Sequence, residues 1–231
     1  MIAGTRLPTG ASGPIRSPRS KRPERWPRPD PMRLILVRHG RPDEGGTETP
    51  NDPPLNDEGW RQAGAIARLL ETEEVSRIVA SPLRRARQTA EPLAGRLGLR
   101  VETIELWAEA DRGASRYRST ETLRAEGGEA WSRFLADPIG YLGGDPASFR
   151  AGVLAALGFT VAKGPGDARV AVFTHGLPIN IVLSHALGLD SITRFVVDYG
   201  SVTRLRHVGD GRYGVRSVNE TGHHRWTAWT S

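Results

Sequence analysis

None of the 231 residues is cysteine. Disulfides, thiolate nucleophiles, iron–sulfur clusters and cysteine-based zinc sites are therefore excluded. No apolar run approaches the roughly 20 residues that cross a bilayer, which argues against an integral membrane protein. The first thirty residues also lack the unbroken apolar stretch of a secretory signal. These absences lead to the expectation of a soluble, cytoplasmic chain without a membrane partner. What is present, 38% hydrophobic and 25% charged residues, fits one globular domain with its own core and some surplus.

The net charge of +6 and pI near 10.4 suggest a nucleic-acid partner until the charge is located. Residues 1–31 hold seven basic and two acidic side chains, a net of +5, whereas the other 200 residues net only +1. The basicity thus belongs to a tail and not to a domain face. That tail contains Pro8, Pro14, Pro18, Pro23, Pro27, Pro29 and Pro31, so it cannot run as a helix and is expected to be disordered. It reads as an extension ahead of a start at Met32. The alternative is an arm gripping phosphate backbones, which little else in the sequence supports.

From Met32 onward the pattern is regular. Leu34–Val37 and Ile78–Ala80 are short continuous apolar runs, the mark of strands covered on both faces. Asn56 or Asp57 caps a helix carrying Ala63, Ile66, Ala67 and Leu70 at helical spacing. Ser81-Pro82 reads as an N-cap and first-turn proline opening a helix to about Leu97, followed by a strand over Val101–Leu106. Residues 107–145 are irregular, with a helix from Glu121 or Gly128 to Leu135. A longer helix spans Ala147–Ala162, and then come a buried strand, Arg169–Thr174, and its helix, Gly176–Leu187. Strands are expected at Ile192–Val197, Val202–Val208 and Tyr213–Val218, the last two joined by an Asp210-Gly211 turn. Strands alternating with helices before a terminal antiparallel pair predict a mixed, mostly parallel sheet with helices on both faces. Residues 32–220 would form this domain, and 221–231, with His223, His224, Trp226 and Trp229, would be a tail of unassigned structure.

Three junctions end in groups suited to a phosphate: Arg38-His39-Gly40, the run Ser81 to Ala90 with Arg84, Arg85 and Arg87, and Thr174-His175-Gly176. In an open α/β sheet, ligands bind at the carboxyl ends of the strands. A transferring phosphoryl group spreads negative charge over three oxygens, and arginine offers planar, permanently charged donors that match it. A neutral imidazole is a competent nucleophile near neutral pH. Glycines at 40 and 176 allow close backbone approach.

Together with Pro54-Leu55-Asn56-Asp57-Glu58-Gly59 and Gln62-Ala63, these motifs, in this order and spacing, resemble the histidine phosphatase superfamily. The resemblance covers about Met32 to Val218 and implies the three-layer α/β/α, phosphoglycerate mutase-like fold. It implies that His39 is the nucleophile that becomes phosphohistidine, and that Arg38, Arg85 and His175 hold the phosphoryl oxygens beside Gly176. Arg85 is chosen over Arg84 and Arg87 because the family's arginine precedes the alanine. The family's acid stands shortly before Asp-x-Gly, which makes Glu109 the proton donor, with Glu105 as the alternative. One departure is Gly45, where many members carry a phosphate-contacting asparagine; Arg41 is the candidate substitute.

Residues 112–144 would be a lid, and its Arg112, Arg116, Tyr117, Arg118 and Arg133 suit an anionic small molecule. The long additional segments of cofactor-dependent mutases are not recognisable between Glu109 and His175. The implied activity is therefore hydrolysis of a phosphomonoester of a small anionic metabolite. The alternatives are a mutase-type phosphotransferase and a phospholigand-binding protein without turnover. No metal or organic cofactor is implied, since arginine and histidine supply the positive charge. His185 and His207 read as ordinary helix and strand residues, and His223-His224 as an exposed pair lacking a third ligand. Trp107 and Trp131 read as packing or lid residues, and a monomer or homodimer is expected.

Overall fold

The computed structural model describes residues 31–45 and 49–227. The proline-rich segment up to Asp30 and the end from Ala228, with Trp229, lie outside the described residues, and so do the expectations placed on them. Six strands form one sheet, β1 (Arg33–Arg38), β2 (Arg77–Ala80), β3 (Val101–Thr103), β4 (Arg169–Thr174), β5 (Val202–His207) and β6 (Tyr213–Glu220). Their order is β3-β2-β4-β1-β5-β6, parallel through the first four and antiparallel at β5 and β6. This is the mixed, mostly parallel sheet that the sequence pattern predicts.

Because side chains alternate across a strand, the apolar run of β1 feeds two cores. Ile35 and Val37 pack with Ile66 and Leu70 of α1 (Asp57–Leu70) and Leu93 of α2 (Arg84–Leu97). Leu34 and Leu36 pack on the opposite face, below α6 (Pro146–Ala162) and α7 (Gly176–Leu187). Three short helices lie between these layers in sequence: α3 (Thr120–Glu126), α4 (Gly128–Ala136) and α5 (Pro138–Tyr141).

Several expectations need correction. Residues 192–197 form no strand: the backbone N–H and C=O of Phe195 are held by the Asn180 side chain instead of a ladder. The third strand ends at Thr103, and Glu105–Trp107 turns as a 3₁₀ segment that buries Trp107, whose Nε1 donates to Thr160 Oγ1 at 3.2 Å. Ser81 does not cap α2. That helix starts three residues later, and its Arg84 N–H is bound by the Asp52 carboxylate at 2.9 and 3.1 Å, a partner remote in sequence. The single helix expected near residue 128 is two, broken at Gly127, whose φ is +63°. His223 is not in an exposed tail; it lies in the 3₁₀ segment Gly222–Thr227, half-buried, with Nε2 2.9 Å from Gly200 O. Among the described residues no helix is long and apolar enough to cross a membrane.

Asn56 caps α1 by accepting from Gly59 N–H at 2.9 Å, which presses the first turn of the helix against the loop leaving β1. A methyl group on Gly59 would overlap the Arg41 carbonyl oxygen, and one on Gly40 would stand 2.6 Å from Gly59 O. Both obstacles are backbone, so they cannot rotate away. Gly59→Ala should therefore lose at least about 1 kcal/mol of stability through overpacking. Gly64→Ala, in the same helix with only the end of Arg68 nearby at 3.6 Å, should match wild type or gain up to about 1 kcal/mol. Thermal unfolding of the two variants checks this; equal melting temperatures would refute the backbone clash.

Candidate active site

Strand register assembles the site. Arg38 pairs with Thr174 and Ala80 with Phe173, so β1 and β4 end opposite one another and β2 ends within one residue of them. Backbone bonds extend the alignment by one residue: His39 N–H donates to Thr174 O, and Ser81 N–H to Phe173 O, both at 2.9 Å. The residues that follow, His39, Ser81 and His175, therefore emerge side by side. The two imidazole centroids are 5.0 Å apart.

A hydrogen bond assigns the His39 proton. His39 Nδ1 lies 2.8 Å from Gly40 O, which can only accept, so Nδ1 carries the proton and Nε2 keeps a lone pair. The N–H of Arg85 Nε reaches that lone pair at 3.3 Å. Burial, then the positive charges of Arg85 and Arg38, hold the His39 pKa well below the usual histidine range. Ser81 Oγ already accepts from Leu83 N–H at 3.2 Å and sits 2.7 Å from His175 Nε2. The two groups share one hydrogen bond whose direction follows the His175 tautomer, and the other ring nitrogen is Nδ1. That Nδ1 is buried with no hydrogen-bond partner. Burial and the nearby Arg85 also keep His175 neutral.

Arg85 is fully buried, which demands a counter-charge. Asp111 supplies it, with both carboxylate oxygens 3.1 Å from Nη2, while Asp52 stands 3.7 Å from Nη1. Burial works against the charge, yet Asp111, Tyr117, Glu109 and Asp52 raise the Arg85 pKa on balance. Thr89 fixes the helix to the strand end, accepting from Gly40 N–H at 2.9 Å and donating to Arg85 O at 2.7 Å. Arg38 donates to Val197 O at 2.5 Å and pairs with Glu121 of α3 at 3.0 Å. Two tyrosines cover the guanidinium groups: Tyr199 is 3.9 Å from Arg38 and Tyr117 is 4.6 Å from Arg85, and their hydroxyls are 3.1 Å apart. Three buried nitrogens here, Arg38 Nε, Arg85 Nη1 and His175 Nδ1, have no hydrogen-bond partner, a condition shared outside the site by Ser201 Oγ and Arg206 Nε. Such orphan groups are costly in a folded protein unless a ligand satisfies them.

Glu109 is the N-cap of the 3₁₀ segment Ala110–Gly113 and accepts from Ala110 N–H at 3.0 Å and Leu177 N–H at 3.2 Å. Burial, and after it the negative charge of Asp111, push its pKa up to about 7. Glu105, the alternative acid, pairs with Arg112 on the surface at 2.5 Å. A cavity of about 320 Å³ is lined by Arg38, His39, Arg85, Glu109 and Gly176 and runs on beneath α3 and α4. His175 is not among the residues that line this cavity. Arg41 does not reach the cavity: it is exposed, 3.6 Å from Glu58. Gly45 is exposed as well. Of the expected lid arginines, Arg118 reaches the wall but pairs with Glu126, and Arg133 lies over Tyr141.

Sequence reasoning singled out neither Asp111 as the Arg85 partner nor Tyr199, Glu121 and Ser81 as site neighbours. Asp111 carried a signal, its place in the Asp-x-Gly motif. Tyr199 carried none, since only the fold brings it to Arg38.

The raised Glu109 pKa bears on stability. The folded carboxyl keeps its proton to about pH 7, whereas the unfolded chain releases it near 4.5. Between those values the folded state binds more protons, so its stability falls as pH rises through that window. Glu109→Gln removes the penalty. Its melting temperature relative to wild type should rise between pH 5 and pH 8; an offset equal at both pH values would contradict the shift.

Comparison with known proteins follows the same chain segment. At 32% identity over 200 residues, the chain resembles the bifunctional protein Rv2228c of Mycobacterium tuberculosis, over 84% of its own length. It covers 55% of that protein and so spans about half the length of that relative. A Proteus mirabilis protein named "Probable phosphoglycerate mutase GpmB" is 31% identical over 165 residues, 68% of this chain and 76% of that one. Among solved structures, phosphoserine phosphatase from Entamoeba histolytica in complex with 3-phosphoglyceric acid superposes with a TM-score of 0.66. It is 25% identical, with 84% of this chain and 99% of that one covered. Bacillus stearothermophilus YhfR, at 23% identity, shares the fold with a TM-score of 0.68 over 84% of this chain and 99% of its own. The family model for the histidine phosphatase superfamily (branch 1) matches residues 34–221, from the first strand to just past the last, and to that superfamily the chain belongs.

Proposed function

We propose that the chain is a phosphomonoesterase working through a phosphohistidine on His39, with water as the final acceptor. The observation that carries this reading is the pair of partnerless buried N–H donors, Arg38 Nε and Arg85 Nη1, on two arginines that line one cavity with a neutral imidazole whose Nε2 holds a lone pair. A phosphoryl group supplies the acceptor oxygens that those donors lack.

In the first half-reaction the Nε2 lone pair attacks phosphorus and the ester P–O bond breaks. Its electron pair leaves on the alcohol oxygen, which takes the Glu109 proton. In the second, the Glu109 carboxylate takes a proton from water as the water oxygen attacks phosphorus. The P–N bond then breaks, its electrons return to Nε2, and inorganic phosphate departs. A carboxyl group with a pKa near 7 serves both steps at neutral pH. Arg38 and Arg85 provide the positive charge that a metal ion would otherwise bring, and residues 112–144 cover the site with Tyr117 and Glu121. The relative named for phosphoglycerate mutase favours one competing reading, return of the phosphoryl group to an organic acid. Labelling His39 from p-nitrophenyl phosphate and following the label separates the two: loss of the label to water as inorganic phosphate marks hydrolysis, and retention until an organic acid is added marks transfer.

Two outcomes are expected. Hydrolysis of p-nitrophenyl phosphate should persist in EDTA and fall on the order of a thousandfold or more in His39→Ala. Full activity in that variant would refute the nucleophile. In single-turnover labelling of His39, Glu109→Gln should slow phosphoryl uptake from ethyl phosphate by about a hundredfold or more. Uptake from p-nitrophenyl phosphate, whose leaving group needs little protonation, should slow far less. Equal slowing for both esters would remove Glu109 from the role of acid.

A further inference from the structure

The cavity has two unlike ends. Next to His39 it is charged; beyond, it is walled by apolar side chains. Trp131, Phe134 and Leu142 come from the inserted helices, and Leu177, Phe195 and Val196 from the body. Trp131 and Phe134 stack, with centroids 5.6 Å apart and planes 15° from parallel, and Tyr141 meets Phe134 edge-on. This braced aromatic pair offers a flat surface to the cavity. Large apolar groups also stand open to water there: Leu135 is 48% exposed and Val196 is 72% exposed. Scattered exposed apolar residues are ordinary, but a cluster around one cavity marks a surface that a ligand covers.

The polar side chains of the same wall are already engaged. Asn180 is bound to Gly176 O and to both backbone groups of Phe195. Glu121 pairs with Arg38, Arg118 with Glu126, and Asp198 with Asn219. Arg124 is the lining cation for which no ion pair is formed among the described residues, and it is exposed. The basic residues that made a polyanionic substrate plausible are therefore either paired or out of the cavity. The charge complement at the reacting end is matched to one phosphoryl group, through Arg38 and Arg85.

Resting on the phosphomonoesterase reading, we propose that the substrate is a phosphomonoester whose alcohol carries a flat apolar body, such as an aromatic ring, stacked on Trp131, and lacks a second anionic group. The cavity volume of about 320 Å³ sets the scale, at the small end of ligand pockets. An aromatic ring buries enough surface for a large gain in affinity. A carboxylate or second phosphate stacked on Trp131 would be desolvated against apolar side chains, with the exposed Arg124 as the one lining cation not already paired among the described residues.

The test uses three esters of aliphatic alcohols, so that leaving-group chemistry is comparable: 2-phenylethyl phosphate, ethyl phosphate and 3-phosphoglycerate. With the full chain, kcat/KM for the phenylethyl ester should exceed that for each of the others at least tenfold. Trp131→Ala and the milder Trp131→Leu should shrink the phenylethyl-to-ethyl ratio to threefold or less. Calorimetric titration of the same compounds into His39→Ala reads binding without turnover and should give the same ranking. Preference for 3-phosphoglycerate, especially one lost in Arg124→Ala, would overturn the proposal and favour an anionic substrate. Equal use of the three esters would overturn it as well. Either result, with His39 labelled, leaves the phosphohistidine reading standing. Ranked binding to His39→Ala with no labelling of His39 in the wild type would instead overturn the hydrolytic reading and keep the ligand class.

Discussion

The site depends on the in-register pairing of β4 with both of its neighbours. Arg38 faces Thr174 and Ala80 faces Phe173, and so the chain leaves three adjacent strands within one residue of the same level. A slip of one residue in either ladder would turn every side chain of that strand to the wrong face. It would also carry His39 or Ser81 away from His175. The register is held by the cores on the two sheet faces, where Leu34 and Leu36 cannot exchange places with Ile35 and Val37 without emptying one core and crowding the other. Packing far from the chemistry thus sets the spacing of the two histidines.

Electrostatics act on that frame through one buried cation. Arg85 has no exposure to water, so it needs Asp111, and Asp111 in turn sits near Glu109. The same carboxylate that neutralises the arginine raises the pKa of the neighbouring acid, adding to the effect of burial. Arg85 in its turn helps to keep His39 unprotonated. An ion pair, a neutral imidazole and a carboxyl with a raised pKa are therefore one coupled arrangement, and replacing Asp111 would disturb all three.

Much of this was legible in the sequence where the signal is local. The double-faced apolar runs at Leu34–Val37 and Arg169–Thr174 identify central strands, and the Arg38-His39-Gly40 and Thr174-His175-Gly176 motifs fall directly after them. The reading failed where partners are distant. Ser81 looks like a helix cap beside Pro82, but its hydroxyl is spent on His175, 94 residues away, while Asp52 holds the helix start. Phe195 and its neighbours have strand composition, yet their edge is taken by a side chain of α7. Arg41 and the lid arginines had the right charge for a phosphate, but sequence does not show which cations are already paired. Glu58, Glu105 and Glu126 decide that in space.

Contrast within the molecule separates structural charge from charge held in readiness. Arg204 is also partly buried, and it is saturated: Glu73 and Glu220 take its guanidinium from two sides, bracing the antiparallel edge of the sheet. Around His39 the reverse holds. Arg38 and Arg85 each keep a buried N–H without a partner, His175 keeps an unpartnered ring nitrogen, and Glu109 keeps its proton where an exposed carboxyl would lose it. A fold tolerates such unsatisfied groups only at a cost in stability. Their persistence in one cluster, at the end of three strands and beside a cavity, is what marks the cluster as functional.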